Sequence, residues 1–291
     1  MNRVLEISVD QWNQRCPGSL QELALGGLEG GCVLYFPQLG FPLGRDENRL
    51  LSPTAGSKRK NISVDLRNGR LYGSTLHGEA AESLTTMMLR FAGCACTLIS
   101  NLFPHFRLDT VLARTSYRPV EVAVRSISWR KDDTRLHVDS FPASPVGGNR
   151  ILRVFSNINP EERYRTWRIG EPFDRVAERF LPALTMPVWG SGALLRCFRI
   201  TRSRRSRYDH LMLQLHDSMK ADMNYQSSAN QILFDFPAGS TWIAFTDQVS
   251  HAAIAGQYLL EQTFYLPVAC MAEPSKSPLR ILEGLTGRKL V

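Results

Sequence analysis

Apolar positions along the chain follow two periods. Over Gly78–Leu102 the residues Leu84, Met87, Met88, Phe91 and Leu98 recur at helical spacing, and Pro104 stops the pattern. This predicts one long core helix, with the Met and Phe stripe as its buried face. A shorter helix is expected at residues 19–25. Residues 32–36 form an apolar run ended by Pro37, which reads as a buried strand. Residues 43–60 are rich in Gly, Pro and Ser and read as loop, with the basic cluster Lys58-Arg59-Lys60 inside it. Asn68-Gly69 marks a hairpin turn.

Strand character dominates further along. Residues 120–129 alternate apolar and polar, and Arg150–Asn157 is rich in β-formers. Residues 232–236, 241–245 and 258–266 complete the strand pattern, and the last twenty or so residues read as a tail or short helix. Between the two strand groups, residues 168–180 and 210–222 read as helices, separated by the basic run Arg202-Ser203-Arg204-Arg205-Ser206-Arg207. The expected fold class is α+β: a double-stranded β-helix, or jelly roll, flanked by helices. A single domain over 1–291 is expected. Residues 1–115 would be helical and strand support, 116–158 and 231–267 the jelly-roll core, and 159–230 a helical insertion.

Composition adds a partner class. The chain is 43% hydrophobic, enough for a sizeable core, and its net charge is +8 with a pI near 9.4. Anionic partners follow: nucleic acid, a phospholipid surface or an acidic substrate. The arginine run lacks the aromatic interleaving of a nucleic-acid patch, so a solvated or phosphate-facing loop is preferred and no nucleic-acid partner is expected. The six cysteines form no CxxC pair and read as buried free thiols of a reducing compartment. The N-terminal residues lack a signal-peptide core, and no uncharged apolar run reaches ~18 residues, so no membrane span is expected.

The candidate chemistry lies in Arg135-Leu136-His137-Val138-Asp139-Ser140-Phe141. On an extended chain His137 and Asp139 leave the same face. An imidazole and a carboxylate are two of the three ligands of a facial iron site, and His251, after a strand and a turn, is the candidate third. His216-Asp217 is a competing pair, but neighbours on a helix diverge by about 100°. His216 is therefore read as a helix-surface or substrate-pocket residue. A 2-oxoglutarate enzyme also needs a cation for the distal carboxylate of that cosubstrate. Residues 256–267 hold no Arg or Lys, so the cation is sought on the strand after the motif: Arg153 first, Arg150 second, with Asn157 on the Arg153 face.

The blocks 128–142, 149–160 and 239–251, with 215–222, resemble the Kdo hydroxylases, and the likeness runs from about residue 32 to 266. The resemblance implies an Fe(II)- and 2-oxoglutarate-dependent dioxygenase with His137, Asp139 and His251 as iron ligands. Using O2, it would hydroxylate carbon 3 of 3-deoxy-D-manno-oct-2-ulosonic acid (Kdo) on a lipid A precursor. The product sugar is D-glycero-D-talo-oct-2-ulosonic acid (Ko). A basic protein without a span suits a cytoplasmic enzyme in peripheral contact with the inner membrane. Competing readings are the same chemistry on another acidic small molecule or a protein side chain, and a non-catalytic basic module that binds membrane or nucleic acid. No oligomeric state follows from the sequence.

Overall fold

The computed structural model describes residues 3–52, 61–106, 111–122, 128–188 and 190–291. Lys58-Arg59-Lys60 and half of the expected 120–129 strand, residues 123–127, lie outside them. Among the described residues the first half runs β1 (Val4–Glu6), α1 (Gly18–Glu29), β2 (Val33–Phe36), β3 (Ile62–Asp65), β4 (Arg70–Tyr72), α2 (Gly78–Leu102), β5 (Val111–Arg118) and β6 (Arg150–Asn157). Then follow β7 (Arg165–Ile169), α3 (Phe173–Phe180), α4 (Ser191–Cys197), α5 (Arg207–Ala221), α6 (Met223–Ser228), β8 (Ile232–Phe236), β9 (Thr241–Phe245), β10 (His251–Ala255), β11 (Leu259–Leu266) and α7 (Pro278–Thr286).

A large sheet has the strand order β1-β2-β9-β6-β11-β5-β3-β4, antiparallel except for the β1–β2 pair. A smaller antiparallel sheet has the order β10-β7-β8. Every residue of β6 and β9 is buried because both faces of these central strands are covered. Phe155, Trp242 and Ala244 belong to one apolar cluster with Trp167 and Phe236 of the small sheet. Phe236 stacks on Trp242 at 4.0 Å between ring centroids. Leu152, Val154, Ile243 and Phe245 point the other way, into a cluster that contains the buried stripe of α2. α2 is long and apolar enough to cross a membrane by composition, but this stripe, with Leu84, Phe91 and Leu98 at 0–1% exposure, packs inside the fold.

Three expectations change. Helix was expected from residue 168, yet Arg168 and Ile169 complete β7, whose alternate residues Arg165, Trp167 and Ile169 are buried. The sheet period overrides helix propensity there because β7 pairs on both sides, with β8 and β10. The helical stretch between the strand groups accordingly starts at α3. Residues 119–122 are not strand; β5 ends at Arg118, just before Pro119, which lacks the N–H a ladder needs. None of the six cysteines is in a disulfide, but five are half-buried and Cys197 is exposed.

Candidate metal centre and cavity

The small sheet positions the centre. His137 N donates to His251 O at 3.0 Å, and His251 N returns a bond to His137 O at 2.9 Å. Two residues that exchange both bonds across an antiparallel pair project their side chains to the same side. Two positions on, Asp139 N donates to Thr246 O at 2.7 Å, which keeps that segment extended and its carboxylate on the face of His137. One side-chain donor atom from each of His137, Asp139 and His251 lies within 4.8 Å of the others, and all three residues are buried.

Hydrogen bonds set the imidazole tautomers. His137 Nδ1 lies 2.8 Å from Arg135 O, and His251 Nδ1 lies 2.8 Å from Val249 O. A carbonyl only accepts, so each Nδ1 carries the proton and each Nε2 keeps its lone pair. Trp167 stacks on His251 at 4.9 Å and 26°, fixing the ring plane. Burial holds both imidazoles below their ordinary 6.5; Lys220 and His251 add to this for His137, while Asp139 opposes it for His251. Both are therefore neutral ligands at physiological pH. For Asp139, burial raises the carboxyl pKa, but Arg153, His251 and His137 outweigh it and hold the group well below the carboxylate range. Asp139 Oδ2 is buried and accepts no hydrogen bond among the described residues, although Arg153 Nη1 is 3.2 Å away. Two aimed imidazole lone pairs beside an ionised, under-satisfied carboxylate fit a divalent cation, and this donor set suits Fe(II).

Around the cluster opens a cavity of about 950 Å³, and the three cosubstrate candidates separate with respect to it. Arg153 lines it, with Nη1 also 3.3 Å from Glu261 Oε1, and its buried Nε has no hydrogen-bond partner among the described residues. Arg150 faces the opposite side of β6, fully buried, bonded to Asp247 at 2.8 Å and Gln248 at 2.6 Å and lying over the Phe245 ring. It is a structural ion pair. Asn157 shares the Arg153 face but sits at the far end of the strand, donating to Arg163 O and Phe236 O and receiving Asn159 N. Neither Arg150 nor Asn157 reaches the cavity. His216 does line it, its ring 5.3 Å from that of His137.

Sequence reasoning missed several cavity residues. Arg118, from β5, places Nε 3.0 Å from Glu261 Oε2 and contacts Asp133 at 3.4 Å. Glu261 thus joins the two arginines in one buried charge cluster. Its signal was legible: a carboxylate within the buried run of β11 requires a cation nearby. Lys220, buried on α5, donates to Arg130 O at 3.1 Å. Arg165 lines the cavity from β7, and its strand was read as insertion.

A buried two-histidine, one-carboxylate cluster lining a basic cavity defines a non-haem metal site of the oxygenase type. The family model for 3-deoxy-D-manno-oct-2-ulosonic acid (Kdo) hydroxylases matches residues 11–289, and the chain belongs to that family. Among solved structures it is similar to the Kdo hydroxylase KdoO, a non-haem Fe(II) α-ketoglutarate-dependent dioxygenase, in complex with α-ketoglutarate and Fe(III). The two are 48% identical over 100% of this chain and 98% of that chain, with a TM-score of 0.96. The apo form of KdoO gives 49% identity, the same coverage and a TM-score of 0.97. The complex with succinate and Fe(III) gives 49%, the same coverage and 0.96. No curated protein matches the sequence.

Proposed function

We propose that the protein is an Fe(II)- and 2-oxoglutarate-dependent dioxygenase that hydroxylates carbon 3 of a Kdo residue on a lipid A precursor to give Ko. One 2-oxoglutarate and one O2 are consumed, and succinate and carbon dioxide are released. The observation that carries this reading is the buried cluster of His137, Asp139 and His251, with both Nδ1 protons committed to carbonyls. The fold is read as a double-stranded β-helix whose two sheets face each other across the Phe155–Trp167–Trp242 layer. It forms one catalytic domain over 1–291, with an N-terminal support and an insertion between the two core segments.

Each side chain then has a task. His137, Asp139 and His251 hold the iron, and the fixed tautomers cost no reorganisation on binding. Iron with 2-oxoglutarate and dioxygen supplies the oxidising power to replace a C–H bond by C–OH. Arg153 pairs with the distal carboxylate of the cosubstrate. Its present partners, Asp139 and Glu261, keep this buried cation compensated before the cosubstrate arrives. Arg130, Lys131 and Arg202 line the outer cavity and suit the carboxylate and phosphates of an acidic sugar lipid. Such a substrate, with the net charge of +8, favours a cytoplasmic protein at the inner-membrane surface.

Aerobic incubation with a Kdo-bearing lipid A precursor, Fe(II) and 2-oxoglutarate tests this. The expected result is a Kdo residue heavier by one oxygen atom, with equimolar succinate. Turnover of 2-oxoglutarate with an unmodified Kdo residue contradicts the substrate assignment.

A further inference from the structure

The segment after α3 presents apolar side chains to solvent. Val188 is 81% exposed, Leu194 58%, Phe198 72% and Ile200 59%. Leu194 and Phe198 stand four positions apart at α4 and its C-cap, so they share one side of the turn. Large apolar groups clustered at this exposure are unusual on a protein that meets only water.

The charge of the same segment is one-sided. From residue 184 to 208 there are six arginines and no Asp or Glu. Arg196, Arg199, Arg202 and Arg204 are exposed, and among the described residues none of the six arginines is ion-paired with a carboxylate. Exposed Leu, Ile and Phe interleaved with arginine is the composition of an interfacial anchor, in which apolar groups enter the acyl boundary and cations meet anionic headgroups.

The anchor is tied to the cavity mouth. Arg202 N donates to Ala143 O at 3.0 Å, Arg205 Nη2 to Pro142 O at 2.6 Å, and Ser203 Oγ to Pro145 O at 3.3 Å. Pro142, Pro145 and Arg202 themselves line the cavity. The exposed apolar groups therefore adjoin the opening through which substrate reaches His137 and Asp139.

We propose that Val188 and residues 190–205 form the surface by which the protein docks on an anionic lipid bilayer, with the cavity mouth held at headgroup level. This rests on the reading of the substrate as a sugar on a lipid. It explains why a soluble protein fold leaves four large apolar groups in the open beside a basic opening: a lipid-borne sugar enters without its acyl chains leaving the membrane.

Co-sedimentation with phosphatidylglycerol/phosphatidylethanolamine vesicles tests the surface. Two triple variants at exposed positions are compared with the wild type: Leu194→Ser/Phe198→Ser/Ile200→Ser and Arg196→Ser/Arg199→Ser/Arg204→Ser. Each arginine near the surface contributes about fivefold in partition, so the second set should lose about 100-fold at low salt. The apolar set should lose at least about tenfold, and that loss should persist at high salt. An environment-sensitive fluorophore on the exposed Cys197 should shift to the blue on vesicles. Both variants should oxidise a deacylated, water-soluble Kdo disaccharide at the wild-type rate but turn over vesicle-borne substrate more slowly. The proposal is overturned if vesicle binding is unchanged in both variants. It is equally overturned if the wild type ignores vesicles and binds RNA, or forms a dimer that the apolar variant dissociates. Loss of soluble-substrate turnover in the wild type would count against the reaction instead, and would leave the vesicle result standing.

Discussion

His137 and His251 exchange both of their backbone hydrogen bonds, at 3.0 and 2.9 Å. Two ligands from distant parts of the chain are thereby held by main chain rather than by side-chain packing. Substitution of a side chain leaves this bridge intact.

It follows that ligand variants should fold but lose their response to metal. Anaerobic addition of Fe(II) at 100 times its Kd should stabilise the wild type by about 2.7 kcal/mol. That gain should vanish in His137→Ala and Asp139→Ala while the metal-free proteins still unfold cooperatively. A thermal melt with and without metal measures it. Trp167→Leu frees the plane of the His251 ring and should weaken iron binding by about tenfold, in line with other outer-shell changes.

Arg150 and Arg153, three positions apart on β6, should behave oppositely. Arg150→Ala strands the buried Asp247 carboxylate and should cost about 3–5 kcal/mol of stability, with the KM for 2-oxoglutarate unchanged. Arg153→Ala should raise that KM at least tenfold and leave iron affinity much closer to wild type. Steady-state kinetics beside denaturant melts separate the two. An unaltered KM in Arg153→Ala would move the role to another cavity cation, Arg118 first.

Glu261 compensates both Arg118 and Arg153. Glu261→Gln should destabilise the cosubstrate-free protein by about 3 kcal/mol, because two buried cations lose a carboxylate. Saturating 2-oxoglutarate, which supplies a new anion, should recover more stability in this variant than in the wild type. Melts with and without the cosubstrate give the comparison.

The histidine shifts predict a pH profile. In the folded, metal-free protein both ligand imidazoles titrate below 6.5, so near that pH the unfolded chain binds protons that the folded chain refuses. Stability is then full above about pH 6.5 and falls as the pH drops, by up to about 2.7 kcal/mol per pH unit for two groups. The carboxylates Asp139 and Glu261, whose folded pKa values are lowered, stabilise the fold above their unfolded pKa values, and that stability is lost only at more acid pH, as it falls toward the lower folded values. Melts from pH 7.5 to 5 should show the loss, and His137→Asn should flatten it. Iron affinity should be nearly constant from pH 8 to 6.5, since both imidazoles are already neutral there.

Much of this was readable from residue patterns, for identifiable reasons. The limits of α2 follow from a strong 3.6 period and a proline stop, and Arg150–Asn157 from the β-formers Ile151, Leu152, Val154 and Phe155. The triad was legible because HxD on an extended chain fixes a face, and few histidines remained to complete it. Other features depend on pairing. The end of β7, Arg168 and Ile169, reads as helix until β8 and β10 flank it. Arg150 and Arg153 look alike until the facing residues are known: Asp247 closes one face, while the cavity opens on the other. The buried group of Arg118, Arg153 and Glu261 draws on three strands, so no local window contains it.

Anaerobic titration of the metal-free protein with Fe(II) and 2-oxoglutarate is the most direct test of the centre. A visible metal-to-ligand charge-transfer band should grow to one equivalent of iron in the wild type, shrink on admission of oxygen with substrate present, and be absent in His137→Ala. A wild-type protein that binds no iron and shows no band, or a band that survives in His137→Ala, would contradict the assignment of His137, Asp139 and His251 as the iron site.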